Sequence, residues 1–230
     1  MSSDDRGTKS VHGEMRPTKP TKIGPLAWDA LTFRYASFLG TCSVVAGIPS
    51  LALAHTGSTD TSGFVHGFSH PISVLDHVVA MIMVGVLAWQ LGGRALWLLP
   101  ATFLMVMAIG GTLGVLGIGV PFVEVGIALS VLVLGVIVAL EVRAPAAVAM
   151  GIVGLFAVFH GHAHGAEMPE TVEGVAYALG FVAATTVLHV AGLSIGLLLG
   201  KVFEKKGALA VKSTGAVAAL AGAGLLIGLI

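Results

Sequence analysis

Two histidine-bearing stretches interrupt an apolar chain. One reads His70-Pro71-Ile72-Ser73-Val74-Leu75-Asp76-His77, the other Phe159-His160-Gly161-His162-Ala163-His164-Gly165-Ala166-Glu167. Imidazole with carboxylate is the donor set of nickel, cobalt, copper or zinc, and thiolate sites need cysteine, of which the chain has 1. His160 and His164 are spaced i,i+4, so one helical face offers both imidazoles to a single ion, and Glu167 prolongs that face. On a continuous helix His70 and His77 also share a face, with Asp76 about 100° round from His77. His66 lies one turn outside His70 if the helix reaches that far, and Met81 lies one turn below His77. His70, Asp76, His77, His160 and His164 are expected to meet and bind a metal, since each would cost several kcal/mol within a membrane without a shared partner.

The rest of the chain places these residues in lipid. It is 56% hydrophobic and 10% charged over 230 residues, against roughly 25% charged in soluble domains. Its mean hydropathy is +0.96. Net charge is zero, so no basic excess points to nucleic acid, and no nucleotide-binding loop is present. The partners implied are a divalent ion and the bilayer, with a homo-oligomer left open.

Residues 1–34 read as a polar tail holding six of the 12 Lys/Arg. The apolar run from Tyr35 to Ala54 then ends Ala52-Leu53-Ala54, as a secretory signal peptide does. Cleavage after Ala54 would remove residues 1–54, Cys42 included, and leave a transmembrane domain over 55–230. Apolar runs at about 68–91, 95–117, 121–140, 145–165, 172–200 and 208–230 each have close to the 20 residues that cross a bilayer. The expected fold is all-α, a polytopic bundle of six transmembrane helices, or seven if the signal stays. Gly110-Gly111 with Gly114, Gly192/Gly196/Gly200, and Gly92-Gly93 are expected to pack helices closely.

Basic residues set the orientation. Arg94, Arg143, Lys201, Lys205, Lys206 and Lys212 all fall on one side if the mature N-terminus is periplasmic, and the external connections then carry none. That is a positive-inside pattern for a bacterial inner-membrane protein. Glu167, Glu170 and Glu173 lie on the opposite, external side. Glu124, just inside the third span that Pro121 opens, and His189, midway along the fifth, complete the polar set. An acidic loop, then an outer His/Asp/Glu cluster, then a deeper histidine is the layout of a cation funnel.

At His70-Pro71-x-x-x-x-Asp76-His77 and Phe159-His160-Gly161-x-Ala163-His164-Gly165-Ala166-Glu167 the sequence resembles the HupE/UreJ family of bacterial nickel and cobalt permeases. The resemblance extends over nearly all of the chain after the signal, Glu124 and His189 included. Where the family's first motif carries glycine this chain has Val74, which bears on how closely another helix approaches there. The resemblance implies Ni²⁺, or Co²⁺, as a transported ion taken up from the periplasm for hydrogenase or urease maturation.

The expected function is therefore a secondary transporter rather than an enzyme. Metal ligands are His70, Asp76, His77, His160, His164, Glu124, His189 and Glu167, and no organic cofactor is implied. A haem-binding electron-transfer subunit with paired His ligands is the alternative. A membrane metalloenzyme ranks third, as no HExxH-type helix is present.

Overall fold

The computed structural model describes residues 58–168, 174–202 and 206–229. The tail, the signal peptide with its cleavage point after Ala54, and Glu170 and Glu173 lie outside the described residues. Seven helices account for nearly all of the rest, and no strand occurs among the described residues. They are α1 (Ser58–Ser73), α2 (Leu75–Leu91), α3 (Ala95–Val115), α4 (Val123–Ala139), α5 (Ala146–Ala166), α6 (Gly174–Val202) and α7 (Gly207–Leu226). The chain is thus a polytopic helical membrane protein. In hydrocarbon each backbone N–H and C=O must be paired within the protein, and a helix does this within one segment. Trp97, Met105, Leu155, Leu179, Val217 and Leu220 are exposed, an apolar surface suited to lipid.

The spans depart from expectation in two places. α3, α5, α6 and α7 are long and apolar enough to cross a bilayer. The first expected span, 68–91, is instead two helices bent by 83° at a break, and counting this pair as one gives five. α4 has 17 residues, about 26 Å of helix at 1.5 Å per residue, at the short end of the spanning range. It starts after Pro121, with Phe122 in the left-handed region at φ 58°.

The break falls at Val74. Its backbone is extended, φ −106° and ψ 115°, a conformation that suits a β-branched residue. Pro71 does not open the span, as its type would allow; it sits in the last turn of α1. Ser73 Oγ donates to the His70 carbonyl at 2.7 Å, occupying an acceptor that the ending helix leaves free. On the far side the Asp76 carboxylate accepts from the His77 backbone N–H, satisfying one orphan donor in the first turn of α2. His70 and His77 therefore lie on separate helices and share no face.

Glycines lock the helices into three sets. α1 and α2 both lean on α6: a Cβ at Gly67 or Gly180 would collide with backbone across the α1–α6 contact, and one at Gly85 or Gly192 across α2–α6. Gly110 and Gly114 of α3 lie as close to the backbone of Val158, His162 and Gly165 on α5, and Gly161 and Gly165 of α5 to that of Met107 and Gly111 on α3. Gly135 on α4 and Gly215 and Gly222 on α7 form the third contact. Gly92 and Gly93 do not pack a helix; they make the α2–α3 turn with φ 66° and 54°. The core centres on α2, whose Met81, Val84 and Leu87 are buried with Leu99 and Phe103 of α3, Leu134 of α4 and Val153 of α5.

Candidate metal centre

α5 is unbroken from Ala146 to Ala166, so the i,i+4 spacing of His160 and His164 is realised as a shared face. That face turns inward because its glycines hold α5 against α3. His70, ending α1, and His77, starting α2, reach the same face from two directions.

The side chains join in an unbroken series. His70 Nε2 is 3.2 Å from Glu167 Oε2, and His164 Nδ1 is 3.9 Å from the same oxygen. One donor atom each from His70, His164 and Glu167 lies within 4.8 Å of the others, close enough for one ion. The opposite edge of His164 faces inward, with Nε2 2.9 Å from His77 Nδ1. That same Nδ1 is 3.0 Å from His160 Nδ1, and His160 Nε2 is 2.8 Å from Ser130 Oγ on α4. Exposure falls steadily along the series. Side-chain exposure is 56% at Glu167, 24% at His70 and 7% at His164. His77, His160 and Ser130 are fully enclosed, each at 0%.

Several buried nitrogens have no hydrogen-bond partner among the described residues: His77 Nε2, His164 Nδ1, and both ring nitrogens of His189. An unpaired polar group in a dry interior costs about 1–3 kcal/mol, and buried groups are nearly always paired. A series of imidazoles with free lone pairs, opening on a carboxylate, has the donor chemistry to hold a cation.

The remaining expected ligands are spread around this series. Asp76 is half-buried and its carboxylate serves the α2 amide. Glu124 stands exposed on the first turn of α4 and does not join the triad of His70, His164 and Glu167. His189 is buried on α6, with the Phe103 ring edge-on at 5.3 Å; the same ring is 5.8 Å from that of His160. Phe103 thus stands beside both histidines. His162 points away and bonds the Ile118 carbonyl at 2.9 Å, tying α5 to the turn before α4. His66 is exposed, its ring 6.2 Å from that of His70.

Ser130 went unnoticed in the sequence, where it is one hydroxyl in an apolar run. The signal available was its spacing from Gly126, four residues earlier on the same face. Gly126 lies against the ring of Phe159, so the face carrying Ser130 meets His160. Tyr177 was also unremarked. It is buried, its hydroxyl lacks a partner among the described residues, and its ring is 6.3 Å from that of His70.

The profile of the family described as HupE / UreJ protein matches residues 43–225, which include every residue of this centre. The chain belongs to the HupE/UreJ family. It is 45% identical over 195 residues to Protein HupE of Rhizobium leguminosarum bv. viciae, covering 85% of this chain and 100% of that one. No solved structure matches. Membership of HupE/UreJ makes this a membrane protein of metal transport and not an enzyme. The two motifs that carried the resemblance are the two arms of the imidazole series.

Proposed function

We propose that this HupE/UreJ protein takes up a divalent transition metal, nickel before cobalt, from the periplasm as a secondary transporter. The observation that supports this best is the continuity from the outer triad of His70, His164 and Glu167 to the enclosed pair His77 and His160. Glu167 attracts the hydrated cation, and His70 and His164 replace part of its water. His77 and His160 receive it next, with Asp76 and Glu124 as outer partners. His189, beyond the Phe103 ring, accepts it on the way inward. Metal–nitrogen bonds of about 2.1 Å held at right angles put neighbouring nitrogens about 3.0 Å apart, close to the spacings around His77 Nδ1. The excess of basic residues on the opposite side supports an inner-membrane orientation with the mature N-terminus periplasmic.

The haem alternative fits these distances poorly. Two nitrogens ligating one iron axially stand about 4 Å apart with a macrocycle between them, whereas the histidine nitrogens here approach to 2.9 and 3.0 Å.

The test is accumulation of nickel, cobalt, zinc and copper, each alone, in cells expressing this chain. Nickel uptake above the vector control, lost in His77→Ala and His164→Ala with the protein still in the membrane, is the expected result. Equal uptake by both variants and the parent would overturn the assignment.

A further inference from the structure

We infer that Ser130 is a positioning residue: its hydroxyl fixes His160 as the Nε2–H tautomer and so aims a bare Nδ1 lone pair at His77. The argument is one of proton accounting at a fully enclosed site. Ser130 Oγ lies 2.6 Å from the Ile127 carbonyl, which can only accept, so the single hydroxyl proton is committed there. Towards His160 Nε2, at 2.8 Å, Oγ can then only accept, and the imidazole proton must sit on Nε2. A neutral imidazole carries one N–H, so Nδ1 is left with its lone pair, directed at His77 Nδ1 at 3.0 Å.

The consequence reaches His77. Its Nδ1 has two imidazole neighbours, His160 Nδ1 at 3.0 Å and His164 Nε2 at 2.9 Å. A ring nitrogen carries either one N–H or one lone pair, so His77 Nδ1 can make only one full hydrogen bond with these two neighbours. With its proton held on Nε2 by Ser130, His160 has none to give at Nδ1 and can only accept. One proton at most remains for each arrangement: either His77 shares a single N–H between two acceptors, or two lone pairs face each other. The cluster stays short of one donor, and a cation between lone pairs is what relieves the shortage. Without the hydroxyl, His160 can turn its N–H towards His77, and its lone pair then points away from the cluster. Ser130 thus keeps the centre receptive when empty, as an outer partner of a ligating histidine commonly does.

The metal consequence rests on the transport reading above; the tautomer does not. Detergent-solubilised protein labelled with ¹⁵N,¹³C-histidine, metal-free and at a pH where imidazoles are neutral, reports the tautomer of His160 by its ring ¹⁵N shifts. His160→Gln identifies the signal. The expected pattern is Nε2–H in the parent and in Ser130→Thr, with a shift to Nδ1–H or a mixture in Ser130→Ala. Nickel affinity by calorimetry should fall 10–100-fold in Ser130→Ala and recover in Ser130→Thr. An Nδ1–H signal in the parent, or an unchanged Nε2–H signal in Ser130→Ala, overturns the inference. The parent spectrum alone decides if Ser130→Ala does not fold. Parent protein that shows the Nε2–H tautomer and binds no nickel overturns the transport reading and leaves the tautomer assignment standing.

Discussion

His77 Nδ1 and His164 Nε2 lie 2.9 Å apart across 87 residues of sequence, and through that contact the outer part of the candidate metal centre is joined to the enclosed part. Among the described residues, His164 is the one with a nitrogen towards each part. Its Nδ1 faces Glu167 and its Nε2 faces His77.

A mutant cycle should expose this double role. His70→Ala and His77→Ala are each expected to weaken nickel binding by more than about 100-fold, beyond the loss usual for an outer partner. In a His164→Ala background either change should add less than it does alone, because the two parts are no longer joined. Calorimetry on the three single and two double variants measures it. Additive losses would show that His164 does not couple the two parts.

Backbone contact at the glycines should make α5 intolerant of small additions. Gly161→Ala and Gly165→Ala place a methyl against the Met107 and Gly111 carbonyls of α3, which cannot swing aside as a side chain could. A loss of about 1–3 kcal/mol is expected for each. Gly151→Ala on the same helix meets nothing within 4 Å and should be neutral or stabilising by about 0.5–1 kcal/mol. Thermal melting in detergent separates the two outcomes.

Val74→Gly puts glycine at the break between α1 and α2. Val74 is already extended, at φ −106°, so glycine is not needed for a forbidden conformation. The variant should fold and keep its metal affinity within a few-fold. It should melt lower, by about 0.4–1 kcal/mol in stability, because glycine widens the unfolded ensemble. A large loss of affinity would mean that the valine side chain itself shapes the centre.

At the other end of α4, Glu141 bonds Lys212 at 2.9 Å and Arg143 at 3.1 Å, and these cations hold its carboxyl below the usual 4.5. A carboxyl depressed by folding stabilises the protein above its unfolded value. The contribution fades as pH falls through the lower folded value. Melting temperature should therefore drop on acidification below about pH 4.5, and by less in Glu141→Gln. Equal slopes in both would exclude the pair as a source of acid sensitivity.

Some of this arrangement was legible in the sequence because the local rule held. The i,i+4 pair His160 and His164 could be read directly, since nothing between Ala146 and Ala166 interrupts the helix. The link from His77 to that pair followed from the cost of isolated ionisable groups in lipid. What could not be read was the break at Val74. Ser73, Val74 and Leu75 carry no breaker and continue an apolar run, so the bend is set by how α1 and α2 each seat on α6. Gly92 and Gly93 looked like packing glycines because composition does not distinguish a left-handed turn from a helix contact. Ser130 was invisible for a similar reason: a lone hydroxyl in an apolar span acquires meaning only when another helix brings an imidazole to it.

The three glycine-locked sets give the centre a mechanical position. His70 and His77 belong to the body of α1, α2 and α6, His160 and His164 to the α3–α5 pair, and Ser130 to the α4–α7 pair. Within each set backbone rests on backbone and leaves little play. Between α2 and α5 contact is sparse, and the imidazoles are much of what joins them. They act as a clasp over a seam. A slip along that seam would change both nitrogen–nitrogen spacings at His77 Nδ1 at once. An ion held between these imidazoles would therefore bear on the relative placement of the three bodies.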